Sequence, residues 1–242
     1  MKKQTEYELR KISEGVFDKS TLLTLYKLSR EGNLDRIEGI IARGKESNVY
    51  HGVTDKKDIA IKIYSIEASN FRNMERYIKG DHRFNGWKNK RQLIYNWAKK
   101  EFKNLILVYK SIRCPEPIAV ENNVLIMSFI GRNGIPAPRM KDLAPEDPEE
   151  FFEEILDFVR IMYENGFIHG DLSEYNILNT GKPVLIDFSQ GVLKDHPYAE
   201  ELLQRDIRNL CNYFSRFGIK PKEDEILRKI RDEKRNYKGK RK

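Results

Sequence analysis

One stretch, residues 167–190, constrains the fold and chemistry of this chain more than any other. It reads FIHGDLSEYNILNTGKPVLIDFSQ and places Asn176 five residues after Asp171. Asp187 then follows a short apolar run, residues 183–186, which is typical of a buried strand. A carboxylate can receive or orient a proton, and carboxylate and amide oxygens are hard ligands that suit Mg2+. The spacing therefore indicates a catalytic carboxylate followed by a metal site.

The order of these residues resembles the signature set of protein kinases, in which an H-R-D-x-x-x-x-N loop precedes a strand and a D-F-G motif. Here the motifs read H-G-D-L-S-E-Y-N and D-F-S, with Gly170 and Ser189 at the changed positions. On this resemblance Asp171 acts on the attacking hydroxyl, and Asn176 and Asp187 bind Mg2+. Taken singly, they would be loop, cap or strand-end residues, so the interpretation depends on a matching upstream half.

That upstream half contains a candidate phosphate loop and a candidate phosphate-binding lysine. Residues 37–64 predict three strands, with a turn-rich loop at residues 42–48. Against the pattern G-x-G-x-x-G-x-V, Ala42, Gly44 and Ser47 stand at the glycine positions and Val49 at the valine, so only the middle glycine remains. Small residues there would let the backbone approach phosphates, and Lys45 and Ser47 could contact them directly. Ala60-Ile61-Lys62 is the stronger match, to the V-A-I-K strand whose lysine holds phosphates. Strand alternation alone would instead place Lys62 toward solvent.

The lysine of a kinase is held in its phosphate-binding pose by an acidic partner. The sequence predicts two helices and an intervening mobile loop, at residues 67–78, 93–105 and 81–92 respectively. Glu101 is the only acid of the second helix, and it is the first choice for the ion pair with Lys62. Glu67 and Glu75, on the first helix, are the alternatives.

The second half of the chain predicts a hairpin at residues 118–127 and a linker at residues 136–148. It then predicts three helices, at residues 149–166, 197–217 and 223–234. In a kinase Met127 would lie behind the adenine ring. Only 55 residues follow Asp187, and none of them forms an A-P-E segment. An ordinary kinase needs roughly twice that length there. Asp206, on a predicted helix, either supports the catalytic loop backbone or is a surface i,i+4 partner.

Charge is concentrated at the end of the chain. The formal net charge is +8, and residues 228–242 carry nine Lys/Arg and two Asp/Glu, a net of +7. This segment predicts a solvated extension that meets nucleic acid or another polyanion, or else a merely solubilising end. We expect a cytoplasmic protein without a membrane span, because no long apolar run or secretory signal occurs and Cys114 and Cys211 fit no disulfide or metal pattern.

Together these motifs resemble the RIO family of atypical protein kinases. The strings that carry the resemblance are GKESNVY (44–50), YIKGD (77–81), MSFIG (127–131), HGDLSEYN (169–176) and IDFSQ (186–190). In two details the sequence is more similar to the Rio-one subgroup than to the Rio-two subgroup. Ser189 stands where the second subgroup usually has proline, and 35 residues are too few for that subgroup's N-terminal winged helix.

The resemblance implies an α+β, bilobed protein-kinase-like fold with extra N-terminal helices. Its truncated C-terminal lobe would lack the activation loop and the peptide-binding helices. The implied divisions are an N-terminal helical extension, an N-lobe, a C-lobe and a basic tail, at residues 1–35, 36–127, 128–227 and 228–242.

The resemblance also implies a nucleotide site. ATP and Mg2+, or Mn2+ in its place, would bind between the lobes, with Lys62 on phosphate and the backbone of Ser128 and Ile130 on adenine. Asp171 would be the catalytic aspartate. Asp187 would hold metal with Asn176 and would also be able to accept the phosphoryl group as an aspartyl-phosphate.

Three functions are consistent with these features. The first is a serine/threonine kinase and ATPase that phosphorylates itself and acts in maturation of the small ribosomal subunit, binding the pre-ribosomal particle or its rRNA through residues 228–242. The second is a small-molecule phosphotransferase, which the missing peptide-binding lobe would suit. The third is a nucleotide-gated assembly factor in which catalysis is incidental.

Overall fold

The computed structural model describes residues 17–55, 57–67, 71–84 and 86–232. The chain separates into two compact units. The first unit runs to Ile106 and includes Pro115–Pro136, and the second comprises Leu107–Cys114 and the chain from Ala137 onward. Expected N-terminal helical residues before position 17 and the end of the basic tail lie outside the described residues.

The first unit is built on a five-stranded antiparallel sheet. Its strands are β1 Arg36–Arg43, β2 Ser47–Val53, β3 Asp58–Tyr64, β4 Pro117–Glu121 and β5 Val124–Ser128. They are ordered β1-β2-β3-β5-β4. The three predicted strands and the hairpin are therefore confirmed. The loop predicted at residues 42–48 is shorter, because Arg43 pairs with Asn48 and only residues 44–46 separate β1 from β2.

Strand β3 is buried along most of its length, which explains its run of β-branched residues. Its isoleucines pack in one apolar cluster with Leu25 and Leu28. The alternating residues on the other face are buried too, so Lys62 is only 4% exposed. The alternative that strand alternation alone gave, Lys62 facing solvent, is wrong, because alternation predicts exposure only where one face of a sheet meets water.

Three helices accompany this sheet, α1 Lys19–Arg30, α2 Phe71–Lys79 and α3 Lys90–Val108. Asp18 caps the N-terminus of α1, and its carboxylate accepts the backbone N–H groups of Ser20 and Thr21. This is the capping role that aspartate favours. Helix α3 begins three residues before the predicted start at Leu93, so part of the predicted loop is helical.

The second unit is mainly helical, with α4 Pro148–Glu164, α5 Ala199–Phe214 and α6 Glu223–Asp232. Asp147 caps α4, and proline occupies its first position, as the sequence would favour. Short strands pair around the motif loops: β8 Phe167–Ile168 with β11 Val192–Leu193, and β9 Ile177–Asn179 with β10 Pro183–Leu185. A small hairpin, β6 Gly131–Arg132 and β7 Ile135–Pro136, ends the first unit.

The basic segment begins inside a packed helix. Residues 228–232 complete α6, where Ile230 is 5% exposed and Arg231 pairs with Glu200. A solvated tail can therefore begin only after Asp232, later than the predicted start at Arg228. Within the described residues no helix is both long and apolar enough to span a bilayer. Cys114 and Cys211 are free thiols, and the cytoplasmic location stays a prediction.

Lys100, on α3, generates a pH prediction. It is fully buried, and burial lowers the pKa of its ammonium to about 7, while the charges of Asp81 and Glu101 oppose the shift and Arg83 adds to it. The unfolded chain keeps this proton up to a pKa of about 10.4. Between these values the unfolded state binds more protons, so the free energy of unfolding rises with pH.

We expect wild type to gain stability from pH 7 to 9, relative to Lys100→Met, by up to about 1.4 kcal/mol per pH unit. Urea unfolding of both proteins at each pH measures this difference. Parallel pH profiles of the two proteins would contradict it.

Candidate functional site

A buried ion pair joins β3 to α3 in the first unit. The Lys62 ammonium contacts one carboxylate oxygen of Glu101 at 2.9 Å, and the side chains are 5% and 1% exposed. The Tyr64 hydroxyl donates to the other oxygen of Glu101. Lys62 and Tyr64 share a face of β3 because they are two residues apart. The predicted choice of Glu101 is confirmed, and the hydroxyl of Tyr64 is a contact that the motif search missed.

The alternative partners of Lys62 are elsewhere. Glu75 pairs with Lys79 on the surface of α2, at 3.5 Å. Glu67 lies in an exposed turn before that helix. Neither is needed to explain the burial of Lys62, because an ammonium taken out of water needs an opposite charge and hydrogen bonds, and Glu101 supplies both.

The candidate phosphate loop is a tight turn between β1 and β2. The Gly44 N–H donates to the Ser47 carbonyl at 2.9 Å. A Cβ on Gly44 would lie 2.9 Å from that same oxygen, so the turn needs glycine. Val49 pairs with both Ala42 and Lys62 across the strands, which ties the turn to the lysine. Exposed Lys45 is at its tip, and phosphate contacts by these residues stay predictions.

The expected adenine-binding segment follows β5. The Ser128 N–H donates to the Glu116 carbonyl at 2.9 Å, and the Glu116 N–H donates to the Ser128 hydroxyl at 2.9 Å. An adenine contact at Ser128 would therefore use its carbonyl oxygen. Met127 and Ile130 are half-buried on either side of it.

In the second unit the candidate catalytic loop, residues 169–176, holds Asp171 and Asn176 together. The Asn176 amide donates to the Asp171 backbone carbonyl at 2.8 Å and to its carboxylate at 3.0 Å. Gly170 has a φ of 74°, and a Cβ there would lie 2.9 Å from the Gln190 carbonyl oxygen. The glycine that replaces the arginine of the kinase pattern is thus required by the backbone, since only glycine adopts this conformation without strain.

Helix α5 supports this loop from beneath. Asp206 is 1% exposed and accepts the backbone N–H groups of Gly170, at 2.7 Å, and Leu172, at 2.9 Å. Burial raises the pKa of Asp206 to about 7, while these N–H donors and Arg205 oppose the shift. Of the two alternatives for Asp206, loop support is confirmed, and a surface pairing is wrong.

Two neighbours of Asp206 extend this support. Arg205 donates to the Gly170 carbonyl, and the Asn209 amide donates to the Leu172 carbonyl at 3.1 Å. Asn209 was missed by the sequence analysis. Its only signal was its spacing, since residues three or four apart share a helix face.

The candidate metal residue Asp187 has a φ of 61°. This left-handed conformation is uncommon for a residue other than glycine and clusters at functional sites. The Ser189 hydroxyl donates to one Asp187 carboxylate oxygen at 2.6 Å. The Ile186 N–H donates to the Asn176 carbonyl at 3.0 Å, which brings the metal motif beside the catalytic loop.

The donors offered here fit magnesium. Asn176 and Asp187 supply amide and carboxylate oxygens, which are the hard ligands Mg2+ takes alongside water and phosphate. Across the described ranges no three His, Cys, Asp or Glu side chains form a metal-holding group. A metal at this site would therefore be held by few protein ligands, and Mn2+ in place of Mg2+ stays a prediction.

The sequence of this chain is similar to that of known kinases along most of its length. The family model described as the RIO domain matches residues 48–226. The RIO-type serine/threonine-protein kinase Rio1 of Haloferax volcanii is 41% identical over 220 residues, covering 89% of this chain and 76% of that protein. The Methanocaldococcus jannaschii protein of the same name is 44% identical over 209 residues, covering 85% and 72%.

A human serine/threonine-protein kinase RIO1 is 40% identical over 215 residues, which cover 85% of this chain but only 38% of the human protein. Among solved structures, the Chaetomium thermophilum Rio2 kinase in an ADP/Mg2+-phosphoaspartate complex is similar. It has a TM-score of 0.67 and 25% identity, over 85% of this chain and 65% of that one. The kinase-like α+β fold that the sequence predicts is confirmed by this likeness.

The role of Asp206 gives a stability prediction. Asp206→Ala leaves two buried N–H donors without their acceptor, which costs about 2–5 kcal/mol in the free energy of unfolding. Asp206→Asn keeps one acceptor oxygen, so we expect an intermediate loss. Denaturant unfolding measures both, and Asp157→Ala, at an exposed helical aspartate, is the control. Equal stability of Asp206→Ala and the control would show that Asp206 does not hold the loop.

Proposed function

This chain belongs to the RIO family of atypical serine/threonine protein kinases, in its Rio-one subgroup, and on that premise we propose that it transfers the terminal phosphoryl group of ATP to serine or threonine hydroxyls, its own included. The observation that carries the proposal is the Asp171–Asn176 hydrogen bond, on a loop fixed by Asp206. A carboxylate that is fixed in this way can receive a hydroxyl proton without first reorganising.

The remaining residues have roles that follow from their chemistry. Lys62, held by Glu101, would neutralise charge on the ATP phosphates. Mg2+ held by Asn176 and Asp187 would neutralise the charge that develops on the phosphoryl oxygens. The ordering of Lys62 before nucleotide binds lowers the entropic cost of phosphate capture.

We extend the proposal to an aspartyl-phosphate route. A carboxylate oxygen of Asp187 would attack the γ-phosphorus as the bond to the ADP oxygen breaks, and water would then cleave the acyl phosphate to give inorganic phosphate and free carboxylate. The sum of the two steps is ATP hydrolysis. In support, a related Rio2 kinase was solved as a phosphoaspartate complex, and Ser189 fixes one Asp187 oxygen here.

The activity is tested with radiolabelled MgATP. We expect Asp171→Asn to lower phosphate transfer to protein by about 10²–10⁴-fold, because a general base contributes on that scale. Asp157→Asn, the same change at an exposed aspartate, should stay within twofold of wild type. An Asp171→Asn variant that is as active as wild type would remove Asp171 from the mechanism.

The same labelled protein distinguishes the two routes. An acyl phosphate is released by hydroxylamine, whereas a serine or threonine ester is not. Label that resists hydroxylamine at all times, together with a normal rate of phosphate release by Asp187→Asn, would eliminate the aspartyl-phosphate route and leave the kinase proposal intact.

We further propose that the chain acts on pre-ribosomal small subunits, and that its basic end contacts their RNA. The support is charge alone: after Asp232 the sequence has six Lys/Arg and one acidic residue. Phosphate contacts made by such a segment release counterions, so binding weakens steeply with salt.

Removal of residues 233–242, which spares the packed helix α6, tests this idea. A variant with ten neutral Gly/Ser residues in their place is the length-matched control. We expect both to bind small-subunit rRNA with a log–log salt slope lower by about 4, since single strands give roughly 0.7 per contact. An unchanged slope in both would show that the tail does not contact RNA.

A further inference from the structure

One family string, YIKGD, has no role in the site described above. It ends at Asp81, whose side chain is 1% exposed. The Asp81 carboxylate accepts the Arg83 guanidinium at both oxygens, with Nε at 2.8 and 3.1 Å and Nη2 at 2.6 Å. This is the two-point geometry that gives arginine–carboxylate pairs their strength.

The guanidinium of Arg83 also reaches helix α3. Its Nη2 donates to the Asn104 amide oxygen at 2.7 Å, and Asn104 is fully buried. Asp81, Arg83 and Asn104 therefore form a buried clamp that ties the connection after α2 to α3. Beside the clamp, Lys103 Nζ lies 4.8 Å and Arg83 Cζ lies 5.8 Å from the centre of the Phe84 ring.

The clamp attaches to α3 one turn after Glu101. Residues three apart lie on one helix face, so Asn104 and Glu101 face the same side. A helix turns 100° per residue, and a small rotation would carry a side chain away from its partner. A buried hydrogen bond at Asn104 therefore limits rotation of α3 at the point where Glu101 must meet Lys62.

The fixed charges of this region are paired one to one. Lys62 pairs with Glu101 at 2.9 Å, and Arg83 pairs with Asp81 at 2.6 Å. Lys100 precedes Glu101 and is fully buried, with its nitrogen 5.4 Å from the centre of the Trp97 ring, and burial lowers its pKa to about 7, so it adds little positive charge above that pH. Because Arg83 has its own carboxylate in Asp81, Glu101 is left to hold Lys62.

We propose that Asp81, Arg83 and Asn104 are positioning residues for the kinase reaction, which set the rotation of helix α3 so that Glu101 holds Lys62 in its phosphate-binding pose. The inference rests on the proposed function. It assigns a role in nucleotide affinity to Asp81, the last residue of the YIKGD string, and to Arg83, two residues later.

Asn104→Ala breaks the clamp at its helix end and leaves the Asp81–Arg83 pair intact. The matched control is Asn96→Ala on the same helix, whose amide also contacts the connection, donating to the Gly86 carbonyl at 3.1 Å. We expect Asn104→Ala to raise the Kd and KM for MgATP by roughly fivefold, the usual worth of one hydrogen bond. Asn96→Ala should change them less than twofold.

A double-mutant cycle separates positioning from general destabilisation. If the clamp acts through Glu101, Asn104→Ala in a Glu101→Gln background should change the Kd for MgATP less than twofold, because coupled residues are not additive. Asn104→Asp keeps an oxygen acceptor for Arg83, so we expect it to recover most of the lost affinity. Thermal unfolding of each variant confirms that the binding assays compare folded proteins.

Each outcome is decisive. A full fivefold loss in the Glu101→Gln background, or no loss for Asn104→Ala in the wild-type background, would overturn the clamp proposal. Should Asn104→Ala fail to fold, Arg83→Lys takes its place in the cycle, because it keeps a cation for Asp81 and removes the guanidinium that reaches Asn104. A loss of MgATP affinity that is equal in the wild-type and Glu101→Gln backgrounds, or no loss at all, would then overturn the proposal. Wild type that binds MgATP but transfers no phosphate would refute the proposed function and leave the clamp's effect on Kd measurable.

Discussion

The burial of charge is the constraint on which this structure depends. An ammonium or a carboxylate leaves water only if an opposite charge and hydrogen bonds compensate it. In the first unit Lys62 is compensated by Glu101, which Tyr64 also holds. These contacts link β3 to α3 across 39 residues of sequence. Removing one partner would leave the other as an uncompensated buried charge, so the two elements keep one relative placement.

In the second unit, buried backbone groups also need partners. Its catalytic loop turns through a left-handed glycine, and two N–H groups of that turn are satisfied by the carboxylate of Asp206. Arg205 and Asn209, on the same helix, donate hydrogen bonds to two carbonyls of the loop. Asp171 and Asn176 are consequently positioned by a rigid helix, although they lie on a loop. Catalytic groups often sit on loops that a rigid scaffold holds in this way.

The motif residues were predictable because chemistry restricts both their type and their spacing. Asp171, Asn176 and Asp187 stand at the intervals of the protein-kinase signature, and Glu101 was identifiable as the only acid of its helix. The residues that support them were less visible. The Asn209 and Tyr64 side chains donate to the Leu172 carbonyl and to Glu101, and an asparagine or tyrosine at those positions has many other uses. The burial of Lys62 contradicted simple alternation, because strand periodicity cannot show whether the second face of a sheet is covered.

The sequence by itself determined the order of elements, the turn glycines and the family, because each follows from local chemistry or from strings of adjacent residues. Only the tertiary structure decided which charges meet. The pairing of Lys62 with Glu101, the clamp from Asp81 through Arg83 to Asn104, and the placement of Asp206 beneath the catalytic loop join residues separated by 21 to 39 positions. Such contacts are fixed by how whole helices pack, and packing depends on the entire buried surface of a unit and not on any local pattern.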